Sequence, residues 1–328
     1  MLRSQIEHCA TPVWYSHFRP ITFDTLFVHL TPDFLAYLSA DGVVLPPSLI
    51  PANKNPQQQD SSDSEVDEEE WEETPQATQP DFPDLEEKVK EAIEQLGGEV
   101  FIKLNWSAPR DVSWMLHDNS LCCRTPLDII LLLKGSEFIQ HDLNQAFMEC
   151  SDGISQTPTG GFVLTIRRFQ SITPAGEFRC FVRGNNLIAV SQRNHRQFLS
   201  TIPADRINIL NDIQHFFFNY IQGKFPDPDF VFDVYRAGPH HVLLVDFNPF
   251  CRVTDPLLFS WEELCGISPG SQPVFKVVES QDSIKGHPYG ANRVPQDIMN
   301  ISSQQDINDF VSMFNNGKFA EESDDDDL

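Results

Sequence analysis

Two aspartates and an asparagine interrupt an otherwise apolar stretch, VFDVYRAGPHHVLLVDFNPF, at residues 231–250. They are Asp233, Asp246 and Asn248. The stretch contains two runs of β-branched and aromatic residues with a Gly-Pro breaker between them, which predicts a β-hairpin. Two carboxylates and an amide oxygen on a buried sheet face need a cation to neutralise them. Oxygen ligands of this kind suit Mg²⁺, which proteins commonly hold with one or two carboxylates and substrate phosphates.

Strand geometry predicts how these three side chains meet. Asp246 and Asn248 are two residues apart, so their side chains point to the same face of a strand. If Asp233 lies opposite Leu244, it is diagonal to Asp246 on that face, at roughly 7 Å. The alternative is that the aspartates merely end a strand or cap a turn. Their position inside apolar strands favours the metal site.

Two basic residues lie where they could hold phosphate. Lys103 ends an apolar strand and precedes a polar loop, 105–111. Such a lysine can contact phosphate oxygens, although most lysines at strand ends are simply solvated. Arg179 lies between large apolar residues on a predicted strand, and a guanidinium there needs an anionic partner. That partner is either a phosphate or an internal carboxylate, Glu177 or Asp233.

Arg193 poses the same question less strongly, and three further residues could contact a flat base. Arg193 lies at the exit of the strand after the one that carries Arg179. Arg167 and Arg168 lie just before the turn into the Arg179 strand, in a segment that could present backbone groups to a flat base. Phe169 could stack on such a base. The residues alone favour the alternative that these arginines are exposed on the surface.

Helices and strands are mixed along the chain, which predicts an α+β fold. Apolar periodicity predicts helices at 85–96, 126–139 and 204–222, of which 126–139 has a strand-like end. Strands are predicted at 99–104 and 162–169, followed by a hairpin at 177–194. In the helix at 204–222, the residues predicted to be buried are Ile207, Leu210, Ile213, Phe216, Phe217, Tyr220 and Ile221.

The acidic residues of this chain are concentrated in two segments. The 328 residues, enough for one large domain or two smaller ones, carry a net charge of −25. Residues 53–88 contain 13 acidic and 2 basic residues, and 321–328 contain six acidic and no basic ones. An acidic chain disfavours nucleic acid and anionic membranes as partners. Seven cysteines without a CxxC pair indicate a reduced, intracellular compartment and argue against zinc.

Composition divides the chain into four predicted regions. Residues 1–50 are too few to stand alone and are expected to pack on the main domain. Residues 51–84 lack apolar periodicity and are predicted to be a disordered acidic insertion. The core is expected at 85–280, and a polar region with one weak helix and an acidic tail at 281–328. Without an apolar run of 18 residues or a signal region, the protein is expected to be soluble and cytoplasmic. It is also expected to be a monomer.

The order of these elements resembles the ATP-grasp fold, in which two α+β lobes hold MgATP between them. More closely, the chain resembles the cell division cycle protein 123 family. The matching segments are DGVVLPP (41–47), KLNWSAPRD (103–111), EFRCFV (177–182) and VDFNPF (245–250). They are spread over roughly residues 9–280, and their combination is highly specific.

The resemblance implies a role for each candidate residue. Lys103 and Arg179 would contact the phosphates of ATP. The Mg²⁺ ligands would be Asp233, Asp246 and Asn248. The phosphate-covering loop would contain Ser107, Ala108 and Arg110, and the adenine hinge would contain Arg167 and Phe169.

The resemblance also implies an assembly chaperone that binds the gamma subunit of eukaryotic translation initiation factor 2. Such a chaperone would help the alpha subunit to join, and so link translation to cell-cycle entry. The loop NWSAPRD departs from the glycine-rich loop of ATP-grasp enzymes, and Pro109 removes an N–H donor. Nucleotide binding without acyl-phosphate chemistry is therefore the first hypothesis. A carboxylate–amine ligase and an ATP-independent scaffold acting through the acidic segments are the alternatives.

Overall fold

The strands form two separate sheets in the described part of the chain, which comprises residues 1–42, 44–49, 80–116, 118–152 and 157–280 of a computed structural model. The three-stranded sheet has the order β1-β3-β2, and the five-stranded sheet has the order β7-β6-β4-β5-β8. Neighbouring strands are antiparallel except for β5 and β8. The strands are β1 (Thr25–His29), β2 (Val100–Lys103), β3 (Val163–Arg168), β4 (Glu177–Arg183), β5 (Asn186–Gln192), β6 (Phe230–Gly238), β7 (His241–Pro249) and β8 (Val274–Lys276).

Helices cover both sheets. They are α1 (Arg3–His8), α2 (Thr11–Phe18), α3 (Pro32–Ser39), α4 (Pro83–Gln95), α5 (Pro126–Gly135), α6 (Glu137–Asn144), α7 (Thr201–Ala204), α8 (Arg206–Phe216) and α9 (Trp261–Gly266). A π-helical segment, Phe217–Ile221, continues α8, and a 3₁₀ segment, Arg110–Met115, follows the polar loop after β2. Among the described helices, none combines the length and the hydropathy that a bilayer-spanning segment requires.

Each sheet has its own hydrophobic core, so the described residues up to Glu279 form two α+β lobes. In the first lobe, Ile102 and Ile166 of the three-stranded sheet pack with side chains of α4 and α5. In the second lobe, Phe178 and Phe232 of the five-stranded sheet pack with side chains of α8. Phe181 faces the opposite side of that sheet, as the alternation along β4 predicts. The predicted α+β class is confirmed.

The N-terminal residues contribute to both lobes. Trp14 and Phe18 of α2 contact the ring of Phe247 in the second lobe, at centroid distances of 5.4 and 5.0 Å. Strand β1 pairs with β3 in the first lobe, and Thr22 Oγ1 donates a hydrogen bond to the Leu244 carbonyl in the second. This segment therefore ties the two lobes together.

The structure corrects two sequence predictions about helices. Residues 126–139 do not end in a strand, because Ser136 ends α5 and its Oγ caps α6 by accepting from Ile139 N. Ile207 and Tyr220, predicted to be buried, are 76% and 45% exposed. The buried face of α8 instead includes Ile209, Ile213 and Phe216, and the wider π-helical turn after it changes the periodicity. Most of the predicted insertion (51–79) and the predicted helix at 304–314 lie outside the described residues.

Candidate functional site

A cavity of about 480 Å³ is lined by strands of both lobes. Lys103 and Arg167 reach it from the three-stranded sheet, and Arg179, Asp233 and Asp246 reach it from the five-stranded sheet. All ten residues predicted from the sequence line this cavity: Lys103, Ser107, Ala108, Arg110, Arg167, Phe169, Arg179, Asp233, Asp246 and Asn248. The fold thus brings together side chains from five strands and two connecting segments.

The pairing of β6 with β7 differs from the register expected for the two aspartates. Asp233 lies directly opposite Asp246, rather than opposite Leu244 as predicted from the sequence. The register shifts after Asp233, because Val234 pairs with Leu244 and Val245 is the extra residue of a bulge. Directly opposed residues lie closer together than diagonal ones, so this register brings the two aspartates closer than the sequence predicted.

Arg179 finds its anionic partner inside the protein. Its Nε and Nη2 atoms donate to the two oxygens of Asp233, each at 2.8 Å, and Nη1 donates to the Asp255 carbonyl at 2.8 Å. Arg193 Nε lies 3.6 Å from Asp233 Oδ2. Burial raises the pKa of Asp233, but Arg179 and Arg193 outweigh that effect and bring it to about 2. Of the two internal carboxylates that the sequence suggested, the partner is Asp233 and not Glu177.

The pKa of Asp233 predicts an acid-dependent part of the protein's stability. Because the folded-state pKa is about 2, against an ordinary 3.8, this stabilisation is present above about pH 4 and is lost as the pH falls through 2. The difference corresponds to about 2 kcal/mol. We expect the free energy of unfolding of the wild type, measured with urea in EDTA, to fall more steeply from pH 4 to pH 2 than that of Asp233→Asn. Equal slopes for the two proteins would contradict this assignment.

Lys103 and Asp246 form a second ion pair, between a buried lysine and a partly exposed aspartate. Lys103 Nζ lies 2.5 Å from Asp246 Oδ2, and the Lys103 side chain is 3% exposed. Burial lowers the pKa of Lys103, and Asp246 opposes that shift. Within the described residues, Asp246 Oδ1 and Asn248 Nδ2 are buried without a hydrogen-bond partner. A buried carboxylate oxygen without a partner is costly, so Asp246 Oδ1 could accept a further donor or bind a cation.

Arg167 lines the same cavity and has buried hydrogen-bond donors without acceptors among the described residues. Its Nη1 donates to the Val245 carbonyl at 2.9 Å, and its guanidinium lies 5.5 Å from the centroid of the Phe23 ring. Its Nε and Nη2 are buried and have no acceptor among the residues the structure describes. Burial lowers the pKa of Arg167, and Asp246 opposes the shift. The cavity therefore offers unfilled donors as well as an unfilled carboxylate oxygen.

The charge of the cavity wall is opposite in sign to that of the whole chain. Six basic side chains line the cavity, against three acidic ones, whereas the chain carries a net charge of −25. A concave, positively charged site favours an anionic ligand and concentrates it locally. The basic residues are Lys103, Arg110, Arg167, Arg168, Arg179 and Arg193, and the acidic residues are Glu177, Asp233 and Asp246.

Asp142 shapes the loop after β2, and the sequence prediction missed it. Its Oδ2 accepts from the backbone N–H groups of Trp106 and Ser107, at 3.2 and 2.8 Å, and its Oδ1 accepts from Ser107 Oγ at 2.7 Å. Burial raises the pKa of Asp142, and the hydrogen bonds from Ser107 oppose the shift. Asp142 lies on the buried face of α6 beside Ile139 and Leu143. A charged residue on an otherwise apolar helical face is the feature of the sequence that could have identified it.

These hydrogen bonds change the role expected of the loop. The Ser107 hydroxyl already donates to Asp142, so this side chain determines the shape of the loop. The loop closes through a hydrogen bond from Leu104 N to the Ser107 carbonyl, at 2.8 Å. Ala108 and Arg110 also line the cavity. A loop without glycine thus has a defined conformation, with two of its N–H groups committed to a carboxylate.

The connection between the lobes forms another wall of the cavity. Arg168 N and Phe169 N donate to the carbonyls of Asp24 and Glu99, each at 2.9 Å, which ties the end of β3 to the first lobe. Phe169 lines the cavity together with the residues that lead to β4, namely Gln170, Ile172 and Pro174. A wall with an aromatic ring and apolar side chains suits a flat, partly apolar group.

Two α+β lobes that line one cationic cavity have the arrangement that the sequence predicted for an ATP-grasp fold. The sequence profile of the family described as D123 matches residues 14–302. The chain therefore belongs to the D123 family, and the predicted resemblance to the cell division cycle protein 123 family is confirmed.

Relatives of known name cover most or all of the chain. A protein named translation initiation factor eIF2 assembly protein, from Xenopus laevis, is 37% identical over 343 residues, with both chains covered completely. The protein of the same name from Danio rerio is 38% identical, with 93% of this chain and 92% of that one covered. The solved structure of Cdc123 from Schizosaccharomyces pombe matches with a TM-score of 0.71 and 30% identity. That match covers 85% of this chain and 99% of the other.

Proposed function

We propose that this protein is an MgATP-binding assembly chaperone for eukaryotic translation initiation factor 2, acting on its gamma subunit and supporting translation initiation and cell-cycle progression. The proposal that the protein binds a nucleotide rests on one observation: an unpaired carboxylate oxygen and unpaired guanidinium nitrogens line the same cavity. The same wall contains a buried carboxylate oxygen without a partner, on Asp246, and buried guanidinium nitrogens without an acceptor, on Arg167. A magnesium–phosphate ligand satisfies both at once.

The residues of the cavity fit such a ligand. Asp233, Asp246 and Asn248 would hold Mg²⁺ with oxygen ligands, and the described residues contain no group of three His, Cys, Asp or Glu side chains that could bind a metal ion by themselves. Lys103, Arg110, Arg167 and Arg179 would face the phosphates, with Ser107 and Ala108 in the covering loop and Phe169 beside the base. When bound, MgATP would supply anionic oxygen atoms to the cationic wall and a divalent cation to the oxygen ligands of Asp233, Asp246 and Asn248.

The covering loop favours binding over turnover. The N–H groups of Trp106 and Ser107 donate to Asp142, and Pro109 has no N–H group. Phosphate-binding loops normally use their backbone N–H groups as donors, so this loop offers few for a transferring phosphoryl group. We therefore infer that MgATP holds the lobes in a conformation that the client recognises. Release of ADP would instead indicate a carboxylate–amine ligase that acts through an acyl-phosphate.

The relatives' names support eIF2 as the client, and the family resemblance implies its gamma subunit. Proteins of this family that match the chain over its full length are named eIF2 assembly proteins. We infer the same client here and a cytoplasmic, monomeric protein. Binding of purified gamma subunit to the wild type, measured with and without ATP, tests this part. Absence of binding in both conditions would contradict it.

Calorimetric titration with ATP in the presence of Mg²⁺ tests the nucleotide assignment. We expect the wild type to bind, and Lys103→Ala to bind at least about tenfold more weakly, because a buried ammonium that faces phosphate is lost. Asp246→Asn should weaken binding with Mg²⁺ present but much less in EDTA. Lys90→Ala, which removes an exposed lysine of α4, is the control and should bind as the wild type does.

Three outcomes separate the candidate functions. Binding without ADP release over a long incubation supports the chaperone. ADP release that peptides accelerate supports the ligase. Absence of ATP binding in the wild type would leave Asp233 and Asp246 as structural residues and would favour the scaffold.

A further inference from the structure

The carboxylate that would hold Mg²⁺ already has a cation from the chain itself. Lys103 Nζ contacts Asp246 Oδ2 at 2.5 Å, and both residues line the cavity with Asn248. Asp246 Oδ1 and Asn248 Nδ2 have no other partner in the described residues. The Lys103 ammonium therefore lies beside the oxygen atoms that a divalent cation would need.

We propose that Lys103 is an internal cation that blocks the divalent-cation position at Asp246. The chain then takes up a divalent metal ion only together with an anionic, phosphate-bearing ligand that draws Lys103 away from Asp246. This inference rests on the proposed MgATP function and adds to it the order in which the metal and the nucleotide bind.

The charges around Asp246 oppose entry of a metal ion alone. Lys103 and Arg167 both line the cavity beside Asp246 and are almost fully buried, with 2% and 4% exposure. Solvent screens such charges poorly, so a dication placed beside them would be strongly repelled. A single carboxylate already neutralised by an ammonium cannot offset that repulsion.

Lys103 can move away from Asp246, whereas Arg179 cannot easily leave Asp233. An ammonium is a point charge on a flexible stem with three donors, and the Lys103 ammonium donates a hydrogen bond to Asp246. Arg179 is held by two bonds to Asp233 and a third to the Asp255 carbonyl. A phosphate offers Lys103 an alternative anion, and Asp246 is then free for the metal ion. The exchange keeps every buried charge paired.

Removal of the Lys103 charge should therefore create a metal site that needs no nucleotide. The probe is Mn²⁺ alone, followed by calorimetry and by the shift in melting temperature. We expect Lys103→Met to bind Mn²⁺ at least about tenfold more tightly than the wild type does. We also expect Mn²⁺ to raise the melting temperature of Lys103→Met more than that of the wild type. Both effects should disappear in the double variant Lys103→Met/Asp246→Asn.

Matched variants test whether Mn²⁺ binding results from loss of the positive charge at Lys103. All variants keep the acidic segments, so weak binding of Mn²⁺ there is common to all of them and cancels in the comparison. Lys103→Arg keeps the positive charge and should remain as insensitive to Mn²⁺ as the wild type. Lys134→Met removes a different buried lysine, one that donates to backbone carbonyls at the end of α3, and should create no site. Lys103→Gln replaces Lys103→Met if the latter does not fold.

The proposal is overturned if wild-type protein binds Mn²⁺ without nucleotide in a manner that Asp246→Asn abolishes. It is also overturned if Lys103→Met, or its substitute, binds Mn²⁺ no better than the wild type. Titration of the wild type with ATP is a separate measurement. Failure there contradicts the proposed function, whereas the comparison of Mn²⁺ binding decides whether Lys103 blocks the metal position.

Discussion

Replacement of Arg179 with methionine is expected to lower the free energy of unfolding by about 3–5 kcal/mol, the usual cost of removing one partner of a buried ion pair. Asp233 would lose both of its 2.8 Å hydrogen bonds, and Arg193, at 3.6 Å, cannot replace them without moving. The exposed fractions of the two paired side chains are 5% and 10%, so water cannot solvate the remaining carboxylate well. Urea unfolding at neutral pH measures the change.

Two further variants distinguish a buried ion pair from a general effect of losing an arginine. Arg124→Met breaks an ion pair with Glu99 in which both side chains are more than half exposed, and it should cost far less than Arg179→Met because solvent screens that pair. Arg179→Met/Asp233→Leu removes both charges, and it should be more stable than Arg179→Met alone. If Arg179→Met costs no more than Arg124→Met, the buried pair does not stabilise this fold.

A second large effect is expected at Asp142, because this carboxylate holds the loop that carries Ala108 and Arg110. Asp142→Ala leaves three donors without an acceptor: the N–H groups of Trp106 and Ser107 and the Ser107 hydroxyl. Buried donors that lose a charged partner typically cost about 1.5–3 kcal/mol, so we expect a loss of at least that size. The loop should also move, which should weaken ATP binding at least about tenfold.

Asp142→Asn is the matched control for this prediction. The amide oxygen can still accept from the two backbone N–H groups, and the amide nitrogen can donate to Ser107 Oγ, which accepts equally well. The substitution also removes a buried charge, whose burial raises the pKa of Asp142. We therefore expect Asp142→Asn to keep most of the stability and most of the ATP affinity. Urea unfolding and calorimetry measure both quantities, and equal losses in the two variants would show that hydrogen bonding at Asp142 is not the cause.

The sequence by itself determined the strands and the faces of their side chains. Along β4, the alternation of apolar residues predicted that Phe178 and Phe181 lie on opposite sides of the sheet, and they do. Alternation is a local property with a period of two residues, so no tertiary contact is needed to read it. The breaker at Gly238-Pro239 likewise predicted the turn between β6 and β7. The concentration of negative charge outside the core could also be counted directly.

Only the tertiary structure decided which groups meet. The bulge after Asp233 sets that residue opposite Asp246, and the choice of Asp233 over Glu177 as the partner of Arg179 depends on the pairing of β4 with β6. Asp142 reaches the loop at Ser107 from a helix that is distant in sequence. Such contacts depend on register, on packing between lobes and on the pairing of buried charges. Register, packing and charge pairing leave no repeating pattern in the sequence. The sequence could therefore identify the candidate groups but not their partners.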